Sequence, residues 1–77
     1  MIVEIISPDK KIFEGEATSV HLPGIQGSFE VLNNHAPIIS VLKAGKIKLV
    51  DNNDIQFFEI NGGVVEMNNN KVIILAE

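Results

Sequence analysis

This 77-residue sequence offers few combinations of side chains that could carry out catalysis. Ser28, His35 and Asp51 together supply the residue types of a nucleophilic triad, in which a histidine takes the proton of an attacking serine. None of the three lies in an activated-nucleophile motif, so only the fold could bring them together. His21 and His35 are too far apart to form a local metal motif, and the absence of cysteine excludes thiolate metal sites. We therefore predict no catalytic residue, no metal site and no cofactor.

Lys43 suggests the alternative chemistry of a cofactor carrier. It lies in the segment VLKAGK, beside a predicted turn. Lipoyl and biotinyl carrier domains are all-β, have about this length and present one lysine on a hairpin turn for a swinging cofactor. They flank that lysine with Met, or with Asp and Ala, and the segment Leu42–Gly45 does not match. A carrier domain with Lys43 as the attachment site is kept as the alternative hypothesis.

Composition and charge exclude two classes of partner. The net charge is −4, arginine is absent, and the aromatic residues, 5% of the chain, are all phenylalanine. A nucleic-acid-binding surface needs clustered basic residues and aromatic stacking residues, so nucleic acid is excluded. No apolar run approaches the roughly 20 residues of a transmembrane helix, and the first residues, MIVEIISP, lack the basic leader of a signal peptide. We predict a soluble, intracellular chain without direct membrane insertion.

Short apolar runs separated by turn residues extend along the whole chain. The turn signals include Pro23-Gly24, Ala44-Gly45, Asn61-Gly62-Gly63 and Asn68-Asn69-Asn70. This spacing is typical of an all-β sandwich or barrel and predicts about eight to ten short strands. No window of ten or more residues has helical periodicity. Alternation and side-chain volume predict a core that contains Ile5, Phe13, Val20, Phe29, Val31, Leu42, Ile47, Leu49, Ile73 and Leu75.

The segment LPGIQGSFEVLNNHAPIISVLKAGKIKL, residues 22–49, resembles the epsilon subunit of bacterial F-type ATP synthase, which corresponds to the delta subunit of mitochondria. That family has approximately L-P-G-x-x-G-E-x-G-V-L-P-G-H-A-P-L-L-T-x-L-K-P-G in this region. The preceding stretch, VEIISPDKKIFEGEATSVHLPG, is similar to the family's opening strands. The final stretch, INGGVVEMNNNKVIILAE, is similar to its S-G-G-F-x-E-V-x-x-N-x-V-x-V-L-A-D. The resemblance covers essentially residues 1–77 as one domain.

The resemblance implies a flattened β-sandwich of two sheets and a non-catalytic role. The family's sandwich lies on the central stalk, the rotor, where it contacts the gamma subunit and the membrane-embedded ring of c subunits. It thereby helps to couple proton- or sodium-driven rotation to ATP synthesis. For this chain the resemblance implies gamma and the c-ring as partners, and a peripheral location at the cytoplasmic face of the bacterial inner membrane.

Two sets of residues match family positions that contact these partners. The loop from Leu22 to Ser28 is shaped by proline and glycine, and a loop held in this way loses less entropy on docking. The resemblance assigns to gamma the residues Ser7, His35, Ala36, Pro37 and Ser40. It assigns to the c-ring the residues Ile25, Gln26, Gly27, Ser28 and Glu30.

Three departures from the family pattern bear on these assignments. The family often has an acidic residue at the position of Ser28, and Glu30 is expected to supply that charge instead. Asn33-Asn34 replaces the Pro-Gly that precedes the histidine. Longer family members continue after the last strand into a helical hairpin, which restrains ATP hydrolysis and in some members binds ATP. The sequence ends at Glu77, so the resemblance implies that this C-terminal helical domain, its inhibition and its nucleotide binding are absent here.

Overall fold

A computed structural model describes residues 1–77, which form seven β-strands. No helix in the structure is long and apolar enough to cross a membrane. Because every regular element is a β-strand, the all-β class is confirmed. The strands are β1 (Ile2–Ile6), β2 (Lys11–Glu16), β3 (Ser19–Leu22), β4 (Phe29–Leu32), β5 (Ile38–Asp51), β6 (Asp54–Asn68) and β7 (Lys71–Ala76).

All seven strands belong to one hydrogen-bonded sheet in the order β2-β1-β7-β6-β5-β3-β4. Only β1 and β7 pair in parallel. The sheet folds over itself because β5 and β6, with 14 and 15 residues, run through both halves of the molecule. We call layer 1 the part formed by β2, β1, β7, residues 62–68 and residues 38–43. Layer 2 is formed by residues 54–60, residues 45–51, β3 and β4.

In β5 and β6 the side chains that face the core are even-numbered in one layer and odd-numbered in the other. The change occurs where each strand passes between the layers. In β5 the buried side chains are Leu42 in layer 1 and Ile47 and Leu49 in layer 2. In β6 the change falls at Gly62 and Gly63, which have φ values of 140° and 149°. Such values suit glycine, which has no Cβ. A Cβ on Gly63 would overlap the Leu75 carbonyl oxygen, so this glycine allows the corner of the sandwich.

The two predicted sheets are thus layers of one continuous sheet, and the strand count is lower than the predicted eight to ten. Two pairs of predicted strands are merged, because Ala44-Gly45 and Asn61-Gly62-Gly63 lie inside strands rather than at chain reversals. They lie close to each other across the β5–β6 ladder, where Lys43 pairs with Gly62 and Gly45 with Ile60. Glycine inside a strand often marks such a bend.

The core is a cluster of 16 buried apolar residues between the layers. Of the predicted core residues, six are fully or almost fully buried: Ile5, Val20, Val31, Leu42, Ile47 and Leu49. Phe13 and Phe29 are half-buried and pack against the cluster. The assignment of Ile73 and Leu75 was wrong, because Val72 and Ile74 face the core and Leu75 is 54% exposed.

A cluster of charged residues lies on the outer face of layer 1. Glu4 on β1 accepts from Lys71 Nζ at 2.9 Å, and Lys11 Nζ lies 3.5 Å from its other oxygen. Lys11 also contacts Glu14 at 2.9 Å. The hydrogen bond from Lys71, helped by the charges of both lysines, lowers the pKa of Glu4. The folded state therefore favours the ionised form of this carboxyl group.

We predict that Glu4→Gln makes the stability of the protein less sensitive to acid. A carboxyl group with a lowered pKa stabilises the folded state above its unfolded pKa of about 4.3, and this stabilisation is lost as the pH falls through the lowered value. Urea denaturation between about pH 6 and pH 3 should show a shallower loss of stability in the variant. Glu66, which is exposed and takes part in no salt bridge, provides the matched control Glu66→Gln. An equal slope for Glu4→Gln and wild type would contradict the prediction.

Candidate docking surface

The loop between β3 and β4, residues 23–28, is fixed against the edge of β5. The Ile25 N–H donates to the Val41 carbonyl at 3.0 Å, and the Lys43 N–H donates to the Pro23 carbonyl at 2.9 Å. Between these two bonds Gly24 and Leu42 form an isolated β-bridge. The loop thus continues the sheet for a short distance before it turns away.

Two glycines allow the loop to turn at this edge. A Cβ on Gly24 would lie 2.5 Å from the Gly27 carbonyl oxygen and 2.8 Å from the Phe29 ring. The Gly27 N–H closes the turn by donating to the Gly24 carbonyl at 3.0 Å. Gly27 itself has φ 134° and open space around it. The close packing at Gly24 and the positive φ at Gly27 explain why glycine is needed at both ends of GIQG.

A shallow groove without charged side chains runs between this loop and β5. Its walls include Ile25, Gln26, Ile39, Ser40 and Val41. Ile25 is 61% exposed and Ile39 is 74% exposed. The structure therefore brings together three of the predicted c-ring residues, 25–27, and one predicted gamma residue, Ser40, which is half-buried on the inward side of β5.

An apolar row crosses the outer face of layer 1 next to the groove. We define it as Ile6, Leu75, Val64 and Val41, which are successive register partners on β1, β7, β6 and β5. Val64 and Val41, like Leu75, are exposed. This row was not predicted from the sequence, because the run KVIILA is apolar on both faces and has no alternation to separate them.

The segment that contains His35 lies at the other end of layer 1. Residues 33–37 are all exposed, and the His35 N–H donates to the Leu32 carbonyl at 3.1 Å. His35 Nδ1 lies 2.7 Å from the Ala36 carbonyl oxygen. Because a carbonyl can only accept, Nδ1 carries the proton, and Nε2 is an acceptor in the neutral ring. The ring therefore offers Nε2 to a partner.

Ser7 is far from His35 along the strands of layer 1. It follows β1 and closes the turn to β2, with its N–H and Oγ both donating to the Lys10 carbonyl at 2.9 Å and 3.1 Å. Ile6 pairs with Leu75, at the end of β7, whereas residues 33–37 lie beside its start, where Asn34 contacts Asn70. The predicted gamma residues thus flank the outer face of layer 1 instead of forming one cluster.

Glu30 is separated from the groove. It lies on β4, on the outer face of layer 2, and its Oε2 is 2.9 Å from Nε2 of His21, the register partner on β3. Ser28 is exposed and precedes β4. The pairing of His21 with Glu30 was not predicted, because the register of β3 and β4 depends on the conformation of the loop between them.

The structure supports neither chemical alternative raised by the sequence. Ser28, His35 and Asp51 are joined by no hydrogen bond, since the only partner of the His35 ring is its neighbour Ala36. Lys43 is not on a hairpin tip. It lies within β5 opposite Gly62, and its N–H is bonded to the Pro23 carbonyl. The geometry required of a carrier lysine is therefore absent.

The folded sheet defines a small β-sandwich domain whose distinctive features lie in loops and exposed strands rather than in a deep cleft. The profile of the family described as "ATP synthase, Delta/Epsilon chain, beta-sandwich domain" matches residues 1–77. The chain belongs to this family. The resemblance seen in residues 22–49 is thereby confirmed.

Curated relatives named "ATP synthase epsilon chain" are similar over nearly the whole chain. The relative from Chlorobium limicola is 41% identical over 76 residues, which cover 97% of this chain and 86% of the relative. The relative from Maridesulfovibrio salexigens is 39% identical over 77 residues, which cover 100% of this chain and 54% of the relative. The chain thus spans most of the length of the first relative and about half of the length of the second.

The fold is also similar to chains in two cryo-EM structures. A chain of the Euglena gracilis mitochondrial ATP synthase (OSCP/F1/c-ring) matches with a TM-score of 0.92 and 20% identity, over 99% of this chain and 49% of that one. A chain of the Tetrahymena thermophila mitochondrial ATP synthase (central stalk/c-ring) matches with a TM-score of 0.79 and 22% identity, over 97% and 61%. At this identity the likeness concerns the fold.

Proposed function

We propose that the chain is a non-catalytic rotor subunit of an F-type ATP synthase. It docks on gamma and on the c-ring and so helps to couple proton- or sodium-driven rotation to ATP synthesis. The observation that carries the proposal is the match of the whole of residues 1–77 to the delta/epsilon β-sandwich family and to relatives named ATP synthase epsilon chain.

The gamma contact is proposed for the outer face of layer 1 and its two ends. Ser7 and the segment His35–Pro37 flank this face, and the apolar row lies across it. An exposed apolar row is the kind of surface that becomes buried when two proteins associate. Ser40 contributes from the groove beside it. The proposed gamma-binding surface of this chain therefore has an apolar centre and polar groups at its margin.

The c-ring contact is proposed for the loop residues Ile25, Gln26, Gly27 and Ser28, with Glu30 on the adjacent strand. The loop is held by two backbone hydrogen bonds to β5, so little conformational entropy is lost when it binds. Its groove carries no charged side chain and exposes Ile25 and Ile39, which suits an uncharged partner surface. Glu30 adds a carboxylate on the neighbouring face of layer 2.

The proposed location follows from these two contacts. A subunit that bridges gamma and the c-ring lies at the membrane surface without entering the bilayer. In a bacterium this is the cytoplasmic face of the inner membrane, and the relatives described above include bacterial chains. The proposed role requires no nucleotide, metal or organic cofactor on this chain.

We predict that His35→Ala weakens association with gamma by roughly fivefold to thirtyfold, as expected for a side chain that contributes about 1–2 kcal/mol at an interface. The fold should be retained, because His35 is exposed and its ring bonds only to the adjacent carbonyl. Titration of labelled chain with purified gamma measures the effect. His21→Ala, on the outer face of layer 2, is the matched control and should bind gamma as the wild type does. Unfolding of the His35 variant, or wild-type affinity, would contradict the assignment.

A further inference from the structure

The segment between β4 and β5, residues 33–37, has no buried side chain to hold it in place. Two hydrogen bonds connect it to distant parts of the chain. Asn33 Oδ1 accepts from the Met1 amino group. The Asn34 N–H donates to Asn70 Oδ1 at 2.7 Å. Since so few bonds hold an exposed segment, each has a large influence on its conformation.

Asn70 is itself fixed by its backbone. It is the second residue of the two-residue turn between β6 and β7, with φ 58°, and Asn69 before it has φ 51°. Positive φ at both residues is the pattern of a type I′ hairpin turn. The Asn70 carbonyl also accepts from the Ile2 N–H at 3.1 Å. The side-chain amide therefore extends from a backbone that is anchored on two strands.

Glycine would suit the backbone at position 70 better than asparagine, because it adopts positive φ at no steric cost. What asparagine supplies in addition is the amide oxygen that accepts from Asn34. We infer that Asn70 is a positioning residue for docking: its side chain holds residues 33–37, and with them His35, in the conformation that binds gamma. This inference rests on the proposed function, since it takes the segment as part of the gamma contact.

Asn70→Gly tests the inference because it removes the acceptor and keeps the turn. The exchange of the Asn34 amide proton with deuterium should become roughly three- to tenfold faster, and the dissociation constant for gamma should rise by a similar factor, as for one lost hydrogen bond. The melting temperature should change little, because the relief of positive φ by glycine offsets much of the loss of this one hydrogen bond. Asn69→Gly changes the same turn and leaves the bond to Asn34 intact, so it is the matched control. Asn70→Asp replaces the amide oxygen with a carboxylate oxygen, which also accepts a hydrogen bond, so it should show slow exchange and wild-type affinity.

The outcomes separate the inference from the proposed function. Weaker binding by Asn70→Gly, with normal binding by Asn69→Gly and Asn70→Asp, supports the positioning role. Unchanged exchange and unchanged affinity in Asn70→Gly would overturn it, and so would a fall in melting temperature that accounts for the weaker binding. If the wild-type chain does not bind gamma, the proposed function is wrong. The exchange of Asn34 in that case still decides whether Asn70 holds the segment.

Discussion

Replacing Gly63 with alanine is expected to lower the free energy of unfolding by about 3 kcal/mol or more. Two costs add up at this position. The backbone has φ 149°, a conformation that costs an L-residue about 1–3 kcal/mol. The new methyl group would also overlap the Leu75 carbonyl oxygen, and this packing conflict has a cost of similar size. A domain of this length has a total stability of roughly 5 kcal/mol. The variant should therefore keep only about 2 kcal/mol of stability or less and unfold at a much lower urea concentration than the wild type, as measured by urea denaturation followed by circular dichroism.

Gly27→Ala separates the two costs. Gly27 also has positive φ, 134°, but no heavy atom lies within 4 Å of the position its Cβ would take. This variant should lose only about 1–2 kcal/mol, the cost of backbone strain. Equal losses for the two variants would show that the collision with Leu75 contributes nothing. A Gly63→Ala variant as stable as the wild type would contradict the corner assigned to Gly62 and Gly63.

The second large effect is expected from Leu75→Asp, which places a charge in the apolar row. Leu75 is 54% exposed and pairs with Val64 and Ile6 on the outer face of layer 1. The isolated chain should remain folded, because the carboxylate is in contact with water. Burying an unpaired charge against gamma costs several kcal/mol, so the affinity should fall by roughly a hundredfold or more. Titration with gamma measures this, after the fold has been checked by thermal unfolding.

Phe57→Asp is the matched control for Leu75→Asp. Phe57 is an apolar residue of similar exposure, 59%, on residues 54–60 of layer 2. The same change of charge is therefore made on the opposite face of the sandwich. This variant should bind gamma with nearly wild-type affinity. If Phe57→Asp abolishes binding and Leu75→Asp does not, gamma binds the outer face of layer 2 instead.

Local patterns were sufficient to predict most of the strands and turns. Alternation in β3 and in residues 46–50 indicated the inward side chains, and asparagine at hairpin turns is explained by its tolerance of positive φ, seen at Asn52, Asn69 and Asn70. The whole-length family pattern was equally visible in the sequence. These features depend on neighbours along the chain, which is why sequence alone indicates them.

Features set by tertiary contacts could not be predicted in the same way. A pair of glycines can adopt positive φ at a chain reversal or at a corner of the sandwich, so the sequence does not distinguish the two. The close packing of Gly63 against the Leu75 backbone identifies the corner. The run KVIILA has no alternation, so the facing of Leu75 follows only from its pairing with β1 and β6. The bond between Asn34 and Asn70 joins residues 36 positions apart. No local pattern indicates such a contact.

We propose that this chain couples rotation to ATP synthesis by docking on gamma and the c-ring. The most direct test is ATP-driven ion pumping by membrane-bound synthase from which the corresponding subunit has been removed, measured together with ATP hydrolysis as the 77-residue chain is added. We predict that addition raises the number of ions pumped per ATP hydrolysed until the binding sites are saturated, and that Leu75→Asp fails to do so. Pumping that stays uncoupled although the wild-type chain is folded and in excess would contradict the claim.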